Sequence, residues 1–513
     1  MGVSDNTLTR DINFLENVEP FSARIHIREQ ADLSARYPEI HRVLGVKAQA
    51  AVLGTERVGD GVIVEGTVRY TVLYESLGED DVPAMQSAGF EQEFSESIEA
   101  AGFTGDTHAF VGARVEEVAA TGLDPRSLRL ESTLALSGKG VKTGHAQGLD
   151  PALLPPEVER KVLSLEWLQL SQVLDQQVAL RESVELPARL PAPARLLYSE
   201  MQVADVSLNT AKEAPHIEGS LAVKVVYLSD DATLPPMEWR GSVPFSQPLY
   251  GETASALDSG LMDAQVRQVY VKVREGFEEE ETRVLDIEAI VDVKGVLVAP
   301  GVKQIVTDLY GVSQDYTVQT QVLNGLTSLQ MTRLSVPVFN EEWEDIASGG
   351  AWRDAAFRIA AVDALPQEGS VRLDGVAVLE LIQDTAEGWQ TAIHEWPFVL
   401  DIEAENVTPQ TGCAADIEID ADDGRCTAQV ALWLCEIEEA PCIWDIQAAE
   451  ETPEMVPGLY IRNVSPKETL WDIGKAYRMS AAQLAEFNQI APMENPPPGS
   501  KLLIYKPRAR KSS

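Results

Sequence analysis

The residue types that carry catalysis are sparse in this chain. The six histidines, His26, His41, His108, His145, His216 and His394, stand at unrelated spacings with no recurring Asp or Cys partner, so neither a proton relay nor a nucleophile–base pair takes shape. Four cysteines, Cys413, Cys426, Cys435 and Cys442, fall in one late region without a CxxC or a histidine at ligand spacing. Buried, reduced thiols fit that pattern better than a zinc site or disulfides. No GxSxG elbow, Walker-type phosphate loop, dinucleotide fingerprint or HExxH occurs, and acid pairs such as Glu116-Glu117 are too common in so acidic a chain to nominate a general acid and base. The run Glu278 to Glu281 lacks the alternating spacing of a calcium loop and is expected to be a solvated hairpin tip. The expectation is a non-enzyme with no catalytic residue, no metal and no cofactor.

Binding chemistry concentrates in one late stretch, from Leu459 to Lys506. Lys467, Glu468, Thr469, Gln489 and Ile490 fall in two loops of that stretch, with Lys475 and Arg478 beside them. The elements that must position them are legible. Tyr460, Ile461 and Val464 start a strand, and Thr469 stands where a helix N-cap would. Leu470, Ile473, Gly474 and Tyr477 share one helical face, Ser480 can cap a second helix carrying Leu484 and Phe487, and Asn488 can end it. Pro496 to Gly499 form a turn before a closing strand, Leu502 to Tyr505. The order is βααβ, with Leu470, Trp471, Ile473, Tyr477 and Leu484 expected in its core.

The chain has 513 residues and a formal charge of −40. From Gly458 onward nine Lys or Arg face four Asp or Glu, a net +5, which leaves −45 for everything before. A body so acidic repels nucleic acid and anionic lipid, whereas the basic end suits an acidic partner. No apolar run reaches transmembrane length and the first residues lack a signal-peptide pattern, so the expected place is the cytoplasm.

One unit recurs three times. Val64-Glu-Gly-Thr-Val-Arg-Tyr-Thr-Val-Leu-Tyr74, Ile217-Glu-Gly-Ser-Leu-Ala-Val-Lys-Val-Val-Tyr227 and Leu373-Asp-Gly-Val-Ala-Val-Leu-Glu-Leu-Ile-Gln383 are 153 and 156 residues apart, a domain-sized spacing. In the first copy Val64, Val68, Tyr70, Val72 and Tyr74 alternate with Glu65, Thr67, Arg69 and Thr71, as a half-buried strand requires. Gly66, Gly219 and Gly375 mark a bulge or a close backbone approach. A second strand recurs as Leu128–Leu136, Leu285–Val293 and Cys426–Leu434, and Asp32 to Pro38 matches Glu185 to Pro191. Short helices are expected at Phe14 to Asn17 and Glu157 to Leu168. The fold class is therefore mainly β, sandwiches or barrels in tandem.

Val464, Pro466, Thr469, Leu470, Trp471, Ile473, Tyr477, Leu484, Asn488, Pro498, Gly499, Leu502 and Ile504 fall on the LysM pattern in order and spacing. LysM modules resembling this one bind N-acetylglucosamine glycans between the loops that here are Pro466 to Leu470 and Gln489 to Ala491. Lys467 and Glu468 stand where the pattern has Gly-Asp, placing a long cation where a sugar would approach the backbone. With its β-rich repeats, the whole chain resembles the SipL-type spore-envelope proteins, in which SPOCS domains precede a LysM module. That resemblance implies three SPOCS repeats, at 1–165, 166–326 and a divergent 327–447, a linker at 448–458, the LysM domain at 459–507 and a basic tail at 508–513. It also implies a non-enzymatic adaptor in spore coat assembly, in the mother-cell cytoplasm at the forespore surface. The implied partner of the LysM loops is a coat morphogenetic ATPase of the stage IV sporulation protein A type, with other coat proteins on the repeats. The alternative is a wall protein that binds peptidoglycan or a chitin-like glycan.

Overall fold

A computed structural model describes residues 8–59, 61–78, 81–100, 102–209, 215–231, 234–249, 259–274, 283–339, 352–385, 388–422, 425–450, 456–491 and 496–506. The acidic run Glu278 to Glu281, part of the expected linker and the basic tail lie outside them. Three six-stranded units precede a small βααβ module, and every strand pair is antiparallel.

In the first unit β1 (Thr9–Asp32), β6 (Ser127–Leu149) and β5 (Thr107–Asp124) form one sheet, while β2 (Arg42–Val58), β3 (Gly61–Leu77) and β4 (Pro83–Glu99) form the other. The second unit repeats this with β7 (Val158–Glu185), β12 (Val284–Gly311) and β11 (Ser259–Val273) against β8 (Pro193–Asn209), β9 (His216–Ser229) and β10 (Met237–Pro248). The third uses β13 (Tyr316–Phe339), β18 (Arg425–Ala448) and β17 (Gly412–Asp422) with β14 (Trp352–Gln367), β15 (Ser370–Thr385) and β16 (Gly388–Glu403). Each unit buries its own apolar cluster, as a half-buried sheet must.

The recurring glycine sits on the central strand of the second sheet, where both expectations for it hold. Gly66 faces Phe94, Gly219 faces Phe245 and Gly375 faces Phe398 across the strand pair. A Cβ on each would lie 2.3–2.5 Å from the ring's Cζ. It would also come within 2.4 Å of the Ala51 carbonyl, 2.3 Å of Asp205's or 2.8 Å of Ala361's, on neighbouring strands whose register shifts close by. The bulge pushes a carbonyl inward and the phenylalanine covers the bare backbone, so only hydrogen fits. Tyr74 donates to the Pro38 carbonyl at 3.1 Å and Tyr227 to that of Pro191 at 2.9 Å, which explains why those residues recur together.

Both expected helices are strands instead. Phe14 and Leu15 lie within β1, and Trp167 and Leu168 within β7. Consecutive residues are buried there because both faces of these stretches are covered, one in the cluster of Leu15 and Leu168 and the other in that of Phe14 and Trp167, each drawn from all three units, which erases the two-residue alternation. Phe14 meets Trp167 with ring centroids 5.0 Å apart. Leu15, Val141, Leu168, Val296, Leu326 and Trp433, two from each unit, share one buried cluster.

Polar ties join every pair of units. Lys47 of the first reaches Asp354 of the third at 2.6 Å, and Lys139 reaches Asp416 at 2.6 Å. Gln265 of the second donates to the Val111 carbonyl of the first at 2.9 Å, and Arg333 of the third meets Asp263 of the second at 3.3 Å. Tyr198 of the second unit donates its hydroxyl to the same buried Asp354. A cavity of about 330 Å3 lies at this junction, lined by all three units through residues such as Arg114, Met201 and Arg358.

Cys435 and Cys442 are buried in apolar clusters and Cys413 is half-buried, all three as free thiols. Burial pushes the Cys435 thiol up to about 11, so it stays protonated at neutral pH. The side chain of Cys426 lies outside the described set. Among the described residues no group of three His, Cys, Asp or Glu is placed to hold a metal, and no helix is long and apolar enough to cross a membrane.

Candidate binding loops of the terminal module

The module consists of β19 (Gly458–Asn463), α1 (Leu470–Tyr477), α2 (Ala481–Phe487) and β20 (Lys501–Lys506). Its core is Val464, Leu470, Ile473, Leu484, Ala485, Leu502 and Ile504. Thr469 caps α1 as its type suggests. The hydroxyl accepts from the Asp472 N–H at 3.2 Å while Asp472 accepts from the Thr469 N–H at 2.9 Å, a reciprocal capping box. Hydrogen bonds from the Thr469 side chain and backbone lower the Asp472 pKa below the ordinary carboxylate value. Ser480 precedes α2 without a side-chain cap bond. Asn488 both ends α2 and clamps the closing strand, donating to the Leu484 and Leu503 carbonyls and accepting from the Leu503 N–H at 2.7 Å.

Each of the two loops, the first lip and the second, carries one residue in left-handed backbone. Lys467 has φ 68° and is exposed, and Gln489 has φ 55° and is exposed. A side chain thus occupies a conformation that glycine adopts more readily. Glu468 braces the first lip from inside: it accepts from the Ser465 N–H at 2.8 Å and from Arg462 at 2.9 Å. These bonds, the backbone one foremost, lower its pKa below the ordinary carboxylate value. Ile490 packs partly against the module core, so it gives the second lip an apolar base.

The remaining nominated residues turn elsewhere. Lys475 and Arg478 point to the second unit and the connection that leaves it, where Lys475 pairs with Asp308 near the end of β12 and Arg478 with Asp315 just before β13. Trp471, expected in the module core, is half-buried instead, because its indole N–H donates to Asp308 at 2.7 Å. Its ring meets Tyr310 edge-on, centroids 4.8 Å apart, and the Tyr310 hydroxyl donates to the Met479 carbonyl at 2.8 Å. Burial pushes the Asp308 carboxyl up, but the bonds from Lys475 and Trp471 outweigh it and leave the pKa lowered. Sequence reasoning missed Asp308, Tyr310 and Asp315. The available signal was Gly474 inside a helix, where a Cβ would lie 2.5 Å from the Tyr310 hydroxyl.

Comparison with protein families gives two matches. Residues 39–122 match the SipL, SPOCS domain family and residues 463–504 match the LysM domain family. The first match spans β2 to β4 with most of β5 and contains Gly66 and Phe94; the second contains both loops. No curated protein and no solved structure matches the chain.

Proposed function

We propose, for a chain that joins a SipL SPOCS domain to a LysM domain, that it is a non-enzymatic adaptor of spore-envelope assembly. Both domains are of non-catalytic binding kinds, and their pairing carries the reading of a sporulation-related binding protein. The three six-stranded units are each a SPOCS unit, because the glycine–phenylalanine arrangement found in the matched segment recurs in the other two. In the finer reading the LysM loops engage an acidic coat morphogenetic ATPase of the stage IV sporulation protein A type at the forespore surface, and the SPOCS body holds further coat proteins. What supports a protein rather than a sugar is the first lip. Lys467 projects a cation from left-handed backbone where bare glycine would suit a sugar ring, in a stretch of net +5 from Gly458 onward that includes the basic tail.

Peptidoglycan or a chitin-like glycan is the second reading, favoured by the LysM match itself. Full-length protein offered in parallel to immobilised coat ATPase and to purified peptidoglycan separates the two. Retention by the ATPase that falls about tenfold in Lys467→Glu, equal to about 1.4 kcal/mol, is expected. Binding to glycan that survives Lys467→Glu, with no ATPase retained, would overturn it.

A further inference from the structure

We propose that the contact between α1 and the body is an electrostatic latch, which holds the LysM module against the repeats and yields when salt or another acidic surface takes Lys475 and Arg478. Two independent features make the contact a built one. The first is shape: Gly474 lies buried in the middle of α1, where a Cβ would lie 2.5 Å from the Tyr310 hydroxyl and 2.7 Å from the Met479 carbonyl to which that hydroxyl donates. Glycine weakens a helix interior, so its place here fits a surface against which Tyr310 must close. The second is charge. Trp471, Lys475 and Arg478 meet two carboxylates, Asp308 and Asp315, at three points on one face, where a module of net +2, six Lys or Arg against four Asp or Glu over 458–506, meets a strongly acidic body.

The same contacts make it releasable. The two carboxylates keep 35% and 39% of their side-chain surface open to solvent. The Lys475–Asp308 pair is open on both sides and is screened over about 8 Å at physiological ionic strength and about 3 Å at 1 M, whereas Arg478, 14% exposed, is the more sheltered partner and yields after it. The ring contact of the latch is a single edge-on one, Trp471 on Tyr310, among the described residues. Lys467 and Gln489 stay exposed outside the latch, so a partner can take the loops first and then compete for α1. The inference stands apart from which partner the loops bind.

The test uses full-length protein labelled with 5-fluorotryptophan. Among nine tryptophans, the 19F resonance of Trp471 is the one lost in Trp471→Phe. At low salt it is expected to be broad, tumbling with the body. It should shift and narrow in Asp308→Lys/Asp315→Lys, in 0.5 M NaCl, and on adding polyglutamate. Adding Lys475→Asp and Arg478→Asp to the reversed variant should return most of the shift, which a merely misfolded variant would not do. A resonance already narrow at low salt, or unmoved by charge reversal, overturns the contact. One that stays broad in both salt and polyglutamate overturns its release.

Discussion

Replacing Gly219 by alanine tests the idea that the recurring glycine is a packing requirement. The new Cβ would sit 2.3 Å from the Asp205 carbonyl and 2.5 Å from Cζ of Phe245. The ring can swing, but the carbonyl belongs to a paired strand, so β8 and β9 must separate locally. Overpacking a tight core costs about 1–3 kcal/mol, and a collision with backbone places this case at the upper end, about 3 kcal/mol. For a unit of roughly 150 residues that lowers the melting temperature by roughly 6–12 °C. The three copies should be graded. Gly66→Ala, with its carbonyl at 2.4 Å, should match Gly219→Ala, whereas Gly375→Ala, at 2.8 Å, should be milder. Calorimetry gives the melting temperature and hydrogen exchange on β3, β9 or β15 locates the loss, which matters because a chain of several units need not melt in one step. If Gly219→Ala melts within about 1 °C of the parent, the close-approach argument fails.

Asp354→Ala strands Lys47 in a buried site without its counter-charge and is expected to cost about 3–5 kcal/mol, read by denaturant unfolding. Burial raises the Asp354 pKa, yet Lys47 and Lys224 pull it below the ordinary value. Its contribution is therefore full above about pH 4 and is lost as pH falls through the lowered folded value, so an acid melt should show a stability loss that Asp354→Ala lacks. Lys467→Gly relieves left-handed backbone at φ 68°. After the larger chain entropy of glycine it should still stabilise the module by about 0.5–1 kcal/mol, seen as slower exchange in α1.

What was legible depended on how far apart the interacting residues lie. The module was readable almost residue by residue because its capping box joins Thr469 to Asp472 and its clamp joins Asn488 to Leu503. The strand over Val64 to Tyr74 was readable because one face meets its own core. Phe14-Leu15 and Trp167-Leu168 misled for the opposite reason: both their faces meet units encoded elsewhere, and local periodicity carries no trace of that. Trp471 looks like a core residue in its local pattern because its true partner, Asp308, is 163 residues away. The glycines announced a constraint, while the phenylalanines that impose it became visible only once strands were paired.

The ties that run from first unit to third, third to second and second to first also set a timetable. Leu15 is made more than 400 residues before Trp433 and Cys435, which share its cluster and cover it. At about 5–20 residues per second, the nascent chain spends on the order of 20–80 seconds with those apolar strands uncovered. Ribosome-associated chaperones therefore have a defined client here, and fragments that stop after one or two units should be recovered with chaperone bound or as aggregates.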